Sequence, residues 1–214
     1  MACTQFEGSS QRERNKRAKW ARIERAAREL FAGRGFADAS MRAIATRARV
    51  ATGTLFLYAR DKRELLFLVF QSESQRIFAE ADAASRDDDA GLVDALMELF
   101  GGFLDFYARN PELSAAILRE FFFRPYEPER LGALTREYGA RVAQRVERAR
   151  TRGELRSDVP AAVAANQFFA HYAYWVQAWL GSRLVSREEA ERRLREALRL
   201  QVEGLRPPPR RRSE

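Results

Sequence analysis

The sequence predicts an all-α protein, and three observations predict it. Apolar residues recur at helical spacing along most of the chain. No segment shows the period-two alternation of a half-buried strand. Capping residues, prolines and glycines punctuate the chain at helix-length intervals, giving about nine helices.

In the first helix Trp20, Ile23, Ala27, Leu30 and Phe31 share one side, Arg22, Arg25 and Arg28 take the others, and Gly33 and Gly35 stop it. Ser40 caps a second helix whose inner face is Met41, Ile44, Ala45 and Ala48. A turn follows at Arg49-Val50, and a third helix spans about 52–59. Asp61 to Glu64 reads as a capping box opening a fourth helix to about 85. After an acidic loop at 86–91, a fifth helix covers 92–109. Asn110-Pro111-Glu112 starts a sixth, stopped near Pro125. Pro128 opens a seventh, closed by Gly153. An eighth covers 160–180 and ends at Gly181. Ser186 to Glu189 is a second capping box, opening a last helix to about 204.

The chain has 214 residues, 46% of them hydrophobic, enough for one substantial core and a smaller satellite domain. The longest apolar run, Leu65 to Phe70, is far too short to span a membrane. The N-terminus lacks an apolar signal core, which points to a cytoplasmic protein with no membrane role. One histidine and one cysteine exclude a zinc cluster and an internal disulfide. No phosphate-cradling glycine loop is present, and Asp87-Asp88-Asp89 lacks the ligand spacing of a calcium loop. Neither a metal nor a cofactor is expected, and an enzyme fits poorly.

Charge placement is more telling than its size. Residues 1–66 hold 15 Lys/Arg against 7 Asp/Glu, whereas residues 67–214 hold 23 of each. A basic head on a near-neutral body calls for an anionic partner at the head. The segment 40–66 supplies the means. Gly53 lets backbone approach a surface, while Thr52 and Thr54 offer hydroxyls and methyls. Leu57 puts an aliphatic side chain on a face expected to be exposed, as a thymine-methyl contact would require. Tyr58 and Lys62 suit phosphates, and Arg42 suits a guanine edge or a phosphate.

Residues 16–66 resemble the DNA-binding region of the tetracycline-repressor (TetR) family of bacterial regulators. The resemblance rests on Arg42, Ile44, Ala45, Val50, Gly53-Thr54-Leu55, Tyr58, Lys62 and Leu65, after Ala26-Ala27, Leu30-Phe31 and Gly33-Arg34-Gly35-Phe36. It implies a helix-turn-helix head over 16–60 behind a flexible basic arm at 1–15. A helical ligand-binding and dimerisation domain follows at 61–205, then a Pro/Arg tail at 206–214. The sequence departs from the family pattern in four places. Arg49 stands where glycine is usual, so either the turn is altered or Arg49 offsets its strain with a phosphate contact. Ala51 replaces a hydroxyl cap, and Ala59 replaces a phenylalanine. Phe56 replaces a tyrosine, leaving it to pack inward or touch a base methyl.

The resemblance further implies a homodimer, made by the last two long helices, that reads a pseudo-palindromic double-stranded operator. The residues offered for that pairing are Phe169, Val176 and Leu180, with Leu194, Leu198 and Val202. It also implies an effector pocket. Phe103, Phe106, Tyr107, Phe122, Tyr126, Phe168, His171, Tyr172 and Trp175 are the candidates to line it, for a small hydrophobic or aromatic effector. The same aromatics at helical spacing also read as core. The expected function is a ligand-responsive regulator, a repressor released from its operator by the effector. Two alternatives remain: a constitutive DNA-binding dimer with a solid aromatic core, and a helical ligand-binding protein whose basic head is incidental.

Overall fold

A computed structural model describes residues 11–84, 91–122 and 128–208, with the side chains of 121–131 left aside. Cys3, Asp87-Asp88-Asp89, Tyr126, the Phe122 side chain and the end of the Pro/Arg tail lie outside the described residues. The described residues are helical throughout, without a strand. The helices are α1 (Gln11–Asp38), α2 (Met41–Ala48), α3 (Thr52–Phe56), α4 (Lys62–Ala84), α5 (Leu92–Arg109), α6 (Pro111–Phe122), α7 (Pro128–Thr151), α8 (Ala161–Val176) and α9 (Arg187–Gly204). A π-helical segment, Gln177–Gly181, follows α8 directly. The chain divides into two compact units, Met1–Phe70 and Gln71–Glu214, and the division falls within α4. No helix among the described residues is long and apolar enough to cross a membrane.

The first unit is a small helical head. Ile23, Ala27 and Phe31 from α1, Ile44 from α2 and Leu55 from α3 are fully buried. Residues 11–15, expected in an arm, form the first turn of α1. That helix does not stop at Gly33 either. It runs on to a break at Gly35 (φ 80°, ψ 156°), where a residue with a Cβ is strained, and one further turn follows. Ser40 Oγ caps α2 by accepting from Ala43 N at 3.2 Å. Asp61 Oδ1 accepts from Glu64 N at 2.7 Å, and Glu64 Oε2 accepts from Arg60 N at 2.7 Å, so the box opening α4 is reciprocal but displaced by one residue.

In the second unit α8 packs on α7 and α9, while α5 packs on α9, α7 and α6. Asn110 Oδ1 caps α6 through Leu113 N at 2.7 Å, and Ser186 Oγ caps α9 through Glu189 N at 3.2 Å. Aromatic rings dominate the interior. Phe78, Phe100, Phe103, Tyr107, Tyr138, Phe169 and Tyr172 form one connected cluster, with Phe100 stacked on Tyr172 at 4.8 Å between centroids. Such pairs add roughly 0.5–1.5 kcal/mol each beyond the area they bury.

Arg145 of α7 is buried beside this cluster and acts as a staple. Its Nε donates to Ala95 O of α5, Nη1 to Arg141 O, and Nη2 to Ala81 O of α4, each at 3.2 Å. Asp82 lies 3.5 Å away. Burial lowers the guanidinium's pKa from its ordinary value, and Asp82 works against that shift. Arg145→Ala would remove three hydrogen bonds to helix carbonyls, one buried and two part-buried, and leave a cavity beside the aromatic cluster. It is expected to destabilise the protein by about 3 kcal/mol, read as a lower midpoint in urea unfolding at unchanged slope.

Candidate nucleic-acid interface and apolar cavity

The α2–α3 connection is closed by its own backbone. Arg49 adopts the left-handed conformation (φ 55°, ψ 50°). Its N–H donates to Thr46 O at 3.1 Å and Val50 N–H donates to Ala45 O at 3.0 Å, which satisfies the carbonyls at the end of α2. The turn therefore keeps arginine in a conformation that favours glycine. The Arg49 side chain is exposed. Ala51 precedes α3 without a side-chain cap, and α3 is only five residues long, ending at Phe56 rather than at 59.

The two sides of α3 differ sharply. Leu55 is fully buried and Ala59, just past the helix, is buried with it. Thr52 and Gly53 are exposed, Thr54 is half-buried, Phe56 is 48% exposed and Leu57 is 85% exposed. Phe56 thus does not pack inward. A Cβ placed on Gly53 would meet nothing within 4 Å, so no packing constraint demands glycine there. Arg42 is exposed and its guanidinium has no partner among the described residues. Together with Arg47 and Thr46 it borders an open groove of about 750 Å³. Arg47 is held by Glu29 at 2.7 Å.

Tyr58 and Lys62 already have partners inside the head. The Tyr58 hydroxyl donates to Lys16 O at 3.2 Å, and its ring stacks on Trp20 at 5.9 Å. Lys62 Nζ donates to Ala37 O at 2.7 Å and lies 4.8 Å over the Phe36 ring. Both side chains brace α1 against the segment after α3.

The second unit holds a cavity of about 280 Å³ lined by Tyr107, Leu118, Phe169, Tyr172, Ala173, Val176 and Gln177. Among the described residues, Tyr107 and Tyr172 are the expected lining residues that it contains. Tyr172 Oη donates to Tyr107 Oη at 3.3 Å. Burial pushes the Tyr107 hydroxyl up to about 12 and that of Tyr172 well above its ordinary value. Both stay neutral, and a bond between two hydroxyls uses only one of their two protons. Phe103 and Phe168 are fully buried core residues outside this lining. Phe106 is buried against Tyr107 at 5.4 Å. His171 and Trp175 are half-buried on a neighbouring face of α8, with Trp175 against Tyr174 at 4.9 Å.

The residues offered for dimer pairing need correction. Leu180, Leu194, Leu198 and Val202 are buried inside the protomer, and Phe169 and Val176 face the cavity. A side chain already covered by its own chain has no area left for a copy. Solvent meets a different stripe of α8, namely Val163, Gln167, Ala170 and Tyr174, together with Leu200 of α9. The sequence reading also missed Leu118, Ala173 and Gln177 in the cavity. A signal for two of them was present, because Phe169, Ala173 and Gln177 recur at four-residue spacing on one face. Among the described residues, no group of three or more His, Cys, Asp or Glu could hold a metal ion.

Comparison with known proteins adds three findings. Residues 23–69 match the family described as bacterial regulatory proteins, tetR family. The chain is 35% identical over 114 residues to the HTH-type transcriptional repressor KstR of Mycolicibacterium smegmatis, an alignment covering 53% of each. The match therefore spans about half the length of that curated relative. The solved structure of FadR from Thermus thermophilus, a TetR-family transcriptional repressor in complex with lauroyl-CoA, superposes with a TM-score of 0.71 at 26% identity, over 91% of this chain and all of that one. FadR of Bacillus subtilis, in complex with stearoyl-CoA, shares the fold at a TM-score of 0.71 and 18% identity, over 87% and 99% of the two chains.

Arg49→Gly is expected to stabilise the protein by about 0.5–1 kcal/mol. Relief of the left-handed strain outweighs the extra freedom glycine gives the unfolded chain. A higher thermal midpoint in the variant checks it, and a lower one would show that the arginine side chain contributes to folding.

Proposed function

We propose that this chain, which belongs to the tetR family of bacterial regulatory proteins, is a dimeric DNA-binding repressor released from its operator by an effector with an apolar chain. One observation carries the DNA-binding half of the reading. Leu57 and Phe56 stand in solvent beside a glycine that no packing requires, at the end of a helix whose other side is fully buried. Exposed aliphatic area of that kind lowers stability and solubility unless a partner covers it. Thymine methyls in a major groove would cover it, with Thr52 and Thr54 beside them and Gly53 close to the sugar-phosphate backbone.

The roles are then assigned by exposure. Arg42, Arg49, Thr52, Gly53, Thr54, Phe56 and Leu57 meet the DNA. Tyr58 and Lys62 position that surface from behind and reach phosphate only by leaving Lys16 O and Ala37 O. Two copies pair along Val163, Ala170, Tyr174 and Leu200, and the paired heads read two half-sites of one operator. Such a regulator of DNA works in the cytoplasm.

For the effector, the cavity supplies apolar walls and a neutral hydroxyl pair, and the similar Thermus thermophilus protein is seen with lauroyl-CoA. An acyl chain would lie against Leu118, Phe169 and Val176, with its carbonyl accepting the spare proton of the tyrosine pair. The effector acts by binding one conformation of the dimer better than another.

Two outcomes test this reading. Leu57→Ala should change stability by less than about 0.5 kcal/mol yet weaken operator binding by roughly tenfold, measured by fluorescence anisotropy at fixed salt; unchanged affinity would remove α3 from the interface. Tyr174→Arg should give a folded monomer by analytical ultracentrifugation, with operator affinity lost alongside. A dimer that persists in that variant would place the pairing elsewhere.

A further inference from the structure

We propose that the first three turns of α1 form a second DNA-contact surface, laid along the sugar-phosphate backbone beside the groove that receives α3. The inference rests on the DNA-binding reading above and extends the interface to a helix outside the α2–α3 pair. It starts from a change of character along one face of α1. Ile23, Ala27 and Phe31 on that face are fully buried in the head. Continued toward the N-terminus at helical spacing, the same face carries Lys19, Lys16 and Arg12, four, seven and eleven residues before Ile23. No residue of 11–22 is buried, and Trp20 alone is half-buried. The helix thus overruns its own core by about 16 Å. The overrun presents cations on the side that packs against the head, not on the side turned away from it.

That side lies next to the end of α3. The Tyr58 hydroxyl donates to Lys16 O at 3.2 Å and its ring stacks on Trp20, while Leu57, one residue earlier, is 85% exposed. Lys16, Arg17 and Trp20 border an open groove of about 450 Å³ together with Tyr58, Leu68 and Glu13. Glu13 already has a partner of its own. Residues 11–25 hold seven Lys/Arg against two Asp/Glu. The side chains of Arg12, Lys16 and Lys19 make no hydrogen bond or ion pair among the described residues. The arginines of α9 behave differently: Arg192 and Arg193 pair with Glu189, and Arg195 pairs with Asp94. Like charges three and four residues apart on one helix repel, so the stripe on α1 lowers helix stability until an anion covers it.

The partner that fits is the polyanionic backbone of duplex DNA. Lys16 and Lys19 are point charges on flexible stems, suited to phosphates and not to the fixed pattern of base edges. A duplex that takes Thr52, Phe56 and Leu57 into its major groove carries a backbone strand past the end of α3, where these ammonium groups stand. Contacts of this kind add affinity without sequence preference, because every sequence presents the same phosphates.

Fluorescence anisotropy of the full chain across a range of salt tests this, with a random-sequence duplex and an operator duplex selected from a random pool. The double variant Lys16→Gln, Lys19→Gln removes both charges and keeps good helix formers at exposed positions, so the fold is retained. It should lower the slope of log affinity against log salt by about 0.9 per lost phosphate, about two in all, on both duplexes. Both affinities should fall by the same factor, about tenfold or more at low salt. Arg25→Gln, on the opposite side of α1, should leave the slope as in wild type, and Leu57→Ala should weaken the operator alone. An unchanged slope in the double variant overturns the α1 surface, and a loss confined to the operator overturns it too. In both cases a weakened operator complex of Leu57→Ala leaves the DNA-binding reading intact. Failure of the wild-type protein to bind either duplex at low salt overturns both.

Discussion

The left-handed residue between α2 and α3 sets the direction of the exposed surface of α3. With Arg49 at φ 55°, the amides of Arg49 and Val50 fold back onto α2, and the chain leaves at the angle that buries Leu55. Once Leu55 is down, the side of α3 bearing Thr52, Gly53, Phe56 and Leu57 has to face outward, because five residues make little more than one turn. The strain at one backbone position and the exposure of these four residues are thus a single arrangement. Trp20, Tyr58 and Lys62 then hold α1 to the segment behind α3, so that the surface is rigid before any partner arrives.

The second unit solves a different problem. Three tyrosines are buried among phenylalanines, and burial raises all three hydroxyl pKa values, keeping them neutral. A buried neutral hydroxyl costs least when bonded, and Tyr107 and Tyr172 bond each other where the cavity begins. That leaves a polar point, besides the Gln177 amide, in a mostly apolar wall. Such a site discriminates by position, since a ligand acceptor that misses it strands a buried donor.

What the sequence revealed follows from the range of each interaction. Caps at Ser40, Asp61, Asn110 and Ser186 are local, between residues three or four apart, and they were legible. So was the outward surface of α3, because an aliphatic residue on a polar face breaks a local pattern. Partner choice was not legible. Periodicity marks Leu194, Leu198 and Val202 as one stripe of α9 without saying whether the same chain or a copy covers it, and here the same chain does. The same ambiguity moved Phe169 and Val176 from an expected interface to the cavity wall. The widening of α8 into a π-helical segment left no sequence mark, since the apolar spacing continues through it. Gly33 and Gly35 looked equivalent as stops, yet only Gly35 takes up a positive φ.

The polar groups on α4 bear on how an effector would be felt. Within the second unit, Glu73 of α4 is buried and binds Arg109 of α5 at 3.3 Å, while Ala81 O and Asp82 meet Arg145 of α7. Apolar contacts slide at small cost, whereas hydrogen bonds to a buried guanidinium are made or lost as a unit. A helix fastened in this way has few allowed settings, and the division between the two units falls within it. An effector that alters the packing of α5 or α6 around Tyr107 and Leu118 works against these fastenings. To convert a population of 1:99 into 99:1 it needs a differential affinity of about 5.5 kcal/mol between the settings. Burial of an apolar ligand in the cavity, open to it in one setting and closed in the other, is one source of such a difference.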